Sequence, residues 1–325
     1  MWAKFCGVNC EPSKACLNMT ATFSMPQGIQ VFERGWLSSN NILLMNEAST
    51  VLIDSGYVSH ANQTLALVQQ ALNGRALDLL LNTHLHSDHC GGNQALQLAY
   101  PRMQTLIPPG HAEAVVNWDD AALTYQATGQ DCPRFQIQGK LIPGTEIQLA
   151  GSTWQIHGAP GHDPHSILLF EPLERTLISA DALWQHGFGI VFPELEGIAA
   201  FHEVAQTLDL IESLDPRWVI PGHGSPFHDC QSALVFARQK LNAFVQNPEK
   251  HARYGAKVLV KFKILEWNQI DKKDFVAWAQ KSSYLHALRQ GQAKGQSFIE
   301  WLDMILAELV KSNALQVDGH LLRNI

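Results

Sequence analysis

Between Thr83 and His89 the chain reads Thr-His-Leu-His-Ser-Asp-His, so His84, His86, Asp88 and His89 bring three imidazoles and a carboxylate into six residues. Keeping so many groups deprotonated and aimed at one point is rewarded by metal coordination, and the cluster points to that chemistry first. Three further donors follow apolar runs downstream. His162 sits in Gly158-Ala159-Pro160-Gly161-His162, Asp181 follows Leu177-Ile178-Ser179-Ala180, and His223 sits in Ile220-Pro221-Gly222-His223-Gly224. The glycines permit sharp turns, so that the side chain after each strand can swing onto the edge of a sheet. His165 follows Pro164 and is read as a neighbour of the second loop.

The elements that must position these donors are legible from residue 29 onward. Ile42 to Met45 and Val51 to Gly56 read as a hairpin around the polar turn Asn46 to Ser49, and Leu65, Leu67, Val68 and Leu72 have helical spacing. Leu77 to Asn82 reads as a buried strand that stops where the histidine cluster begins, and Asn93 can cap a helix running towards Tyr100. Strand, ligand loop and helix in succession put binding groups at a carboxyl end, where open sheets usually hold their ligands. Further strands are expected at 105–107, 147–150, 153–157, 166–170, 176–179 and 218–220, with helices around 112–118 and 199–214. Mixed strands, hairpins and helices predict an α+β fold of two mixed sheets flanked by helices.

After about residue 230 the pattern becomes helical. Leu234, Ala237, Leu241 and Phe244 mark one amphipathic helix, and Val258, Leu259, Phe262 and Leu265 another. Asp271 begins a third, while Ser297-Phe298-Ile299-Glu300 is a capping box before Trp301, Leu302, Ile305, Leu306 and Leu309. Asp318-Gly319 between short apolar-bearing runs signals a tight hairpin. The expected organisation is an N-terminal leader at 1–28, a catalytic unit at 29–230 and a helical, winged-helix-like unit at 231–325.

Composition sets limits on the rest. A chain of 325 residues can bury a large core, and six cysteines are too sparse for a disulfide scaffold. Cys6, Cys10 and Cys16 read as free thiols in the leader, and Cys90 as a small residue packed under the metal loop. No stretch approaches the roughly 18 apolar residues of a membrane span, and no apolar run at the start resembles a signal peptide, so a cytoplasmic chain without a membrane partner is expected. Net charge is −7, yet residues 248–296 hold ten Lys or Arg against four Asp or Glu. That stretch reads as a solvated helical face, with a contact surface for an anionic partner as the alternative.

Taken together and in order, the motifs H-x-H-x-D-H, Pro-Gly-His, a post-strand aspartate and Gly-His-Gly resemble the metallo-β-lactamase superfamily in its two-metal form, over roughly residues 29 to 230. The resemblance implies the αβ/βα four-layer sandwich. It implies His84, His86 and His162 on one metal, Asp88, His89 and His223 on the other, and Asp181 bridging both. Asp54, in Ile53-Asp54-Ser55-Gly56, matches a family turn beside the site and would hydrogen-bond to ligands; a carboxylate that merely stabilises its own turn is the alternative. The implied cofactors are two divalent ions, with zinc favoured for this nitrogen-rich set and iron or manganese also compatible. The implied reaction is hydrolysis by a metal-bridging hydroxide, with Asp88 accepting its proton.

Departures within the superfamily narrow the substrate. True β-lactamases carry a cysteine where Asp181 stands, and the flavodiiron branch carries a glutamate where His86 stands. The cluster is similar to the glyoxalase II thioesterases, but counterparts of their basic glutathione-binding residues are missing; lactonases share the seven ligands. A small ester, thioester or lactone is therefore the leading substrate expectation. The helical tail resembles that of the lactamase-beta-like protein 2 group, which makes a phosphodiesterase or single-strand RNA endonuclease the alternative, with a one-iron persulfide dioxygenase below it. Trp184, His186 and Phe188, close behind Asp181, are candidates for the substrate pocket, with ordinary packing against the sheet the leading reading for Trp184 and Phe188. A homo-oligomer is left open.

Overall fold

The computed structural model describes residues 25–292 and 295–325. Most of the expected leader, with Cys6, Cys10 and Cys16, lies outside the described residues. Six strands, β1 (Ile29–Phe32), β2 (Asn41–Met45), β3 (Thr50–Ile53), β4 (Leu79–Leu81), β5 (Gln104–Ile107) and β6 (Gly139–Lys140), form one sheet in sequence order. Its first three strands are an antiparallel meander, and β3 to β6 run parallel. The second sheet is β11-β10-β9-β8-β7, from β7 (Glu146–Leu149), β8 (Ser152–Gly158), β9 (Ile167–Glu171), β10 (Thr176–Ala180) and β11 (Trp218–Pro221).

The two-residue pleat sorts the apolar side chains into layers. Ile42, Leu44, Val51 and Ile53 face the second sheet and meet Trp154, Ile156, Ile167, Leu169 and Ile178. Their neighbours Leu43 and Leu52 face outward onto Val68 and Leu72 of the helix Ala61–Leu72 and Leu96 of the helix Asn93–Ala99. On the far side, Leu168, Phe170, Leu177 and Val219 pack against the helices Phe201–Leu214 and Cys230–Gln246. Because both faces of each central strand are covered, those strands read as continuous apolar runs instead of alternating ones. The result is the expected four-layer α+β sandwich.

Beyond the sandwich come the helices Pro248–Trp267, Lys272–Ala279, Ser283–Gln292 and Phe298–Lys311, and a sheet of order β12-β14-β13 made from β12 (Gln269–Asp271), β13 (Leu315–Asp318) and β14 (Leu321–Asn324). The capping box forms as its residues predict: Glu300 N donates to Ser297 Oγ, and Ser297 N donates to the Glu300 carboxylate. Trp301, Leu302, Ile305 and Leu306 then build a separate core with Leu259, Ile264, Phe275 and Leu322. Strand β12 was not expected, since three residues are too few for alternation to show. The expected boundary at 230 falls on the first residue of the helix Cys230–Gln246, whose buried face, Leu234, Ala237 and Leu241, belongs to the core of the sandwich. Within the basic stretch, Arg253 and Lys257 reach Glu308, Lys263 pairs with Glu266 and Lys272 with Asp303, and all of these but Lys263 and Glu266 stay partly exposed to solvent.

Trp154 fills the space between the two sheets and is almost fully buried. Trp154→Ala should lower the stability of the sandwich by about 3–5 kcal/mol, through lost burial and a cavity that the rigid sheets close only in part. Urea denaturation followed by circular dichroism measures this, and a loss below about 1 kcal/mol would place the structural core elsewhere.

Candidate metal centre

Every predicted donor sits just past the carboxyl end of a strand. The cluster His84 to His89 follows β4, His162 follows β8, Asp181 follows β10 and His223 follows β11. Asp54, at the end of β3, adopts a left-handed φ of 58°. Gly222 is needed where it stands, because a Cβ there would lie 2.3 Å from Asp181 Oδ1 and 3.0 Å from His89 Cε1. The glycine of this turn makes room for two neighbouring donors.

These strand ends bring all seven predicted donors to one rim. His84 Nε2 is 3.1 Å from His86 Nδ1, which is 2.8 Å from His162 Nε2. His223 Nε2 is 3.1 Å from Asp88 Oδ2, and His89 Nε2 is 3.9 Å from the same oxygen. Asp181 lies between the groups: Oδ2 is 3.3 Å from His162 Nε2, while Oδ1 is 3.5 Å from His89 Nε2 and 3.8 Å from His223 Nε2. Three sets have donor atoms close enough to share an ion, namely His84, His86 and His162; His84, His89 and Asp181; and Asp88, His89 and His223.

The hydrogen bonds around the rim test whether metal fits. His89 Nδ1 lies 2.7 Å from Asp54 Oδ2, His162 Nδ1 faces the Ile190 carbonyl, and His84 Nδ1 faces Thr83 Oγ1, itself a donor to Asp54 Oδ2. With the ring proton on each Nδ1, these three residues turn a bare Nε2 lone pair inward. Buried His89 Nε2 has no hydrogen-bond partner among the described residues. Lone pairs converging in this way satisfy neither one another nor the fold, whereas a cation between them does.

Charge agrees with that reading. Burial, reinforced by the neighbouring imidazoles, holds His84 well below the ordinary histidine range, and burial with His162 brings His86 to about 4. Burial raises the carboxyls of Asp88 and Asp181, but the surrounding histidines outweigh it and keep both below their usual range. His89 goes the other way: burial opposes its charging, yet Asp54, Asp181 and Asp88 together push it well up. His84 and His86 are thus held neutral with lone pairs available while Asp88 and Asp181 are held ionised, the state a cation's ligands need.

Of the three candidate pocket residues, Trp184 reaches the rim, where its indole N–H donates to Asp181 Oδ1 at 3.2 Å. His186 and Phe188 do not line the cleft. His186, between the bridged residues Trp184 and Gly187, is exposed and packs on Phe236, while Phe188 is buried in the sandwich core beside Phe244. Residues the sequence did not mark complete the site. Trp36 stacks on His223 with ring planes 13° apart, and Phe192 packs against His86. Tyr254, Val258, Leu259 and Phe262 of the helix Pro248–Trp267 roof a cleft of about 90 Å³ over the donors. Trp36 lies in a loop without periodicity, and the roof depends on long-range docking of a helix. Cys90 is fully buried, as expected, with its Sγ 3.7 Å from Cys132 Sγ.

Asp54→Asn should leave the fold intact but weaken zinc binding about 10–100-fold, since the carboxylate orients and polarises His89. Competition with a chromophoric chelator reads this directly; unchanged affinity would mean that Asp54 serves only its turn.

Comparison with known proteins gives the same answer. Residues 34–223 match the Metallo-beta-lactamase superfamily model. The chain is 25% identical over 244 residues to the Beta-lactamase-like protein 2 homolog of Drosophila melanogaster, covering 69% of this chain and 74% of that protein. It is 24% identical over 229 residues to a hydroxyacylglutathione hydrolase of Synechococcus sp., covering 70% and 77%. A solved beta-lactamase domain protein from Burkholderia ambifaria shares the fold with a TM-score of 0.57 at 18% identity, covering 93% of each chain. With the strand-end donors, the layered sheets and these matches in agreement, the chain belongs to the metallo-beta-lactamase superfamily of metal-dependent hydrolases.

Proposed function

We propose that the protein is a binuclear hydrolase of small esters, thioesters or lactones, with His84, His86 and His162 on one metal, Asp88, His89 and His223 on the other, and Asp181 shared. The observation that carries this reading is the carboxylate of Asp181, whose two oxygens face the two histidine groups separately. Zinc suits the nitrogen-rich donor set best. Two divalent ions held there would supply Lewis acidity towards a carbonyl and acidify water to near neutral pH.

The chain's own groups do the rest. Asp88 lines the cleft, and its carboxylate, held ionised by the neighbouring histidines, can take the proton of an attacking water. Trp184 fixes Asp181 by its indole hydrogen bond, so the shared carboxylate keeps one orientation. Tyr254, Val258, Leu259 and Phe262 exclude bulk solvent and offer an apolar wall to an acyl group. The small volume of this cleft favours a short acyl chain. Similarity to a hydroxyacylglutathione hydrolase supports acyl transfer to water as the chemistry. The alternative, cleavage of single-stranded RNA, has less support, because Arg253, Lys257, Lys263 and Lys272 are already paired with acidic side chains.

Asp181→Ala should reduce turnover of an activated ester by about a thousandfold or more while leaving the circular dichroism spectrum unchanged, since it removes a shared ligand and little packing. A variant that retained most of its activity would contradict the mechanism. Assays of one preparation against aryl esters, thioesters, lactones, bis-p-nitrophenyl phosphate and single-stranded RNA should show turnover confined to the carbonyl substrates. Metal-dependent RNA cleavage without ester turnover would reverse the assignment.

A further inference from the structure

The cleft over the donors does not end at His86. A second cavity of about 230 Å³ shares His86, Gln130 and Phe192 with it, so an acyl group over the donors and the group leaving from it would occupy adjoining spaces. The walls of this second lobe have a distinct chemistry. Its histidines aside, every ionisable charge facing it is a carboxylate, from Asp163, Glu196 and Glu203, and no Lys or Arg is among its lining residues. Asp163 is nearly fully buried, which limits solvent screening of its charge; one of its oxygens accepts the His165 N–H and the other lies 3.8 Å from His86 Nε2, while the exposed Glu196 accepts a hydrogen bond from Tyr284. The rings of Tyr125 and Phe192 complete the wall.

Carboxylates combined with aromatic rings attract an alkylammonium group, by direct charge attraction and through the ring quadrupoles, and they repel an anion. We propose that this lobe receives a positively charged leaving group, so that the preferred substrates are esters or thioesters of an ammonium-bearing alcohol or thiol. The proposal rests on the hydrolase reading above and names its substrate class. The scissile bond joins the acyl carbon to the alkoxy oxygen or thiol sulfur; water supplies hydroxyl to the acyl carbon and a proton to the departing group. An anionic carrier thiol, by contrast, would meet three carboxylates.

Three thioacetates whose leaving groups are similar in size but differ in charge test this on the metal-loaded full chain, each kcat/KM being divided by the rate constant of the same ester with hydroxide to remove intrinsic reactivity: acetylthiocholine, its neutral isostere S-(3,3-dimethylbutyl) thioacetate, and S-acetyl-3-mercaptopropionate. The expected order of kcat/KM is cationic above neutral above anionic, with about tenfold at each step. Combining Glu196→Gln with Glu203→Gln should bring the ratio of cationic to neutral substrate towards one. A wild-type ratio at or below one, or a ratio unmoved by the double substitution, overturns the proposal while leaving the hydrolase reading standing. If none of the three is hydrolysed, that reading fails for thioesters, and calorimetric binding of choline decides the lobe separately. Binding that is lost in the double variant supports the lobe; no binding to the wild-type chain overturns it.

Discussion

Five imidazoles and two carboxylates crowd around one point at the rim of the sandwich, and most are buried. Packed alone, such groups would face lone pair against lone pair and carboxylate against carboxylate, an arrangement that protein interiors tolerate only with compensating charge. The compensation is built in stages. Asp54 and the Ile190 carbonyl hold the outer ring nitrogens, Trp184 holds Asp181, and the inner lone pairs are left for a cation. The layered sheets supply the rigidity that keeps these side chains from relaxing apart.

Function follows from where that demand sits. The ends of β3, β4, β8, β10 and β11 reach one edge of the sandwich, so short turns deliver all the polar groups while the apolar layers stay intact. The helix Pro248–Trp267 then joins the two units: Leu259 belongs to the core of the C-terminal unit and also lines the roof of the cleft. Access to the donors is thereby narrowed by a unit that contributes none of them.

Much of this was legible in the residues themselves. The donors are readable because each lies in a short motif after an apolar strand, and the capping box at Ser297 and the turn at Asp318-Gly319 act through neighbours in sequence. What escaped depends on distant contacts. Trp36 reaches His223 from a loop, Tyr254 and Phe262 reach the cleft only when their helix docks, and the ion pairs of Arg253 and Lys257 require a glutamate about fifty residues away. Proximity in sequence was no guide to His186, which follows Asp181 closely but lies between the bridged residues Trp184 and Gly187, exposed and packed on Phe236.

The most direct test of a shared, two-metal centre is anomalous diffraction from crystals of the zinc-loaded protein, recorded on both sides of the zinc edge. Two peaks about 3.5–4 Å apart are expected, one among His84, His86 and His162, the other among Asp88, His89 and His223, with Asp181 between them. A single peak at full loading, or two peaks without Asp181 in reach of both, would contradict the account.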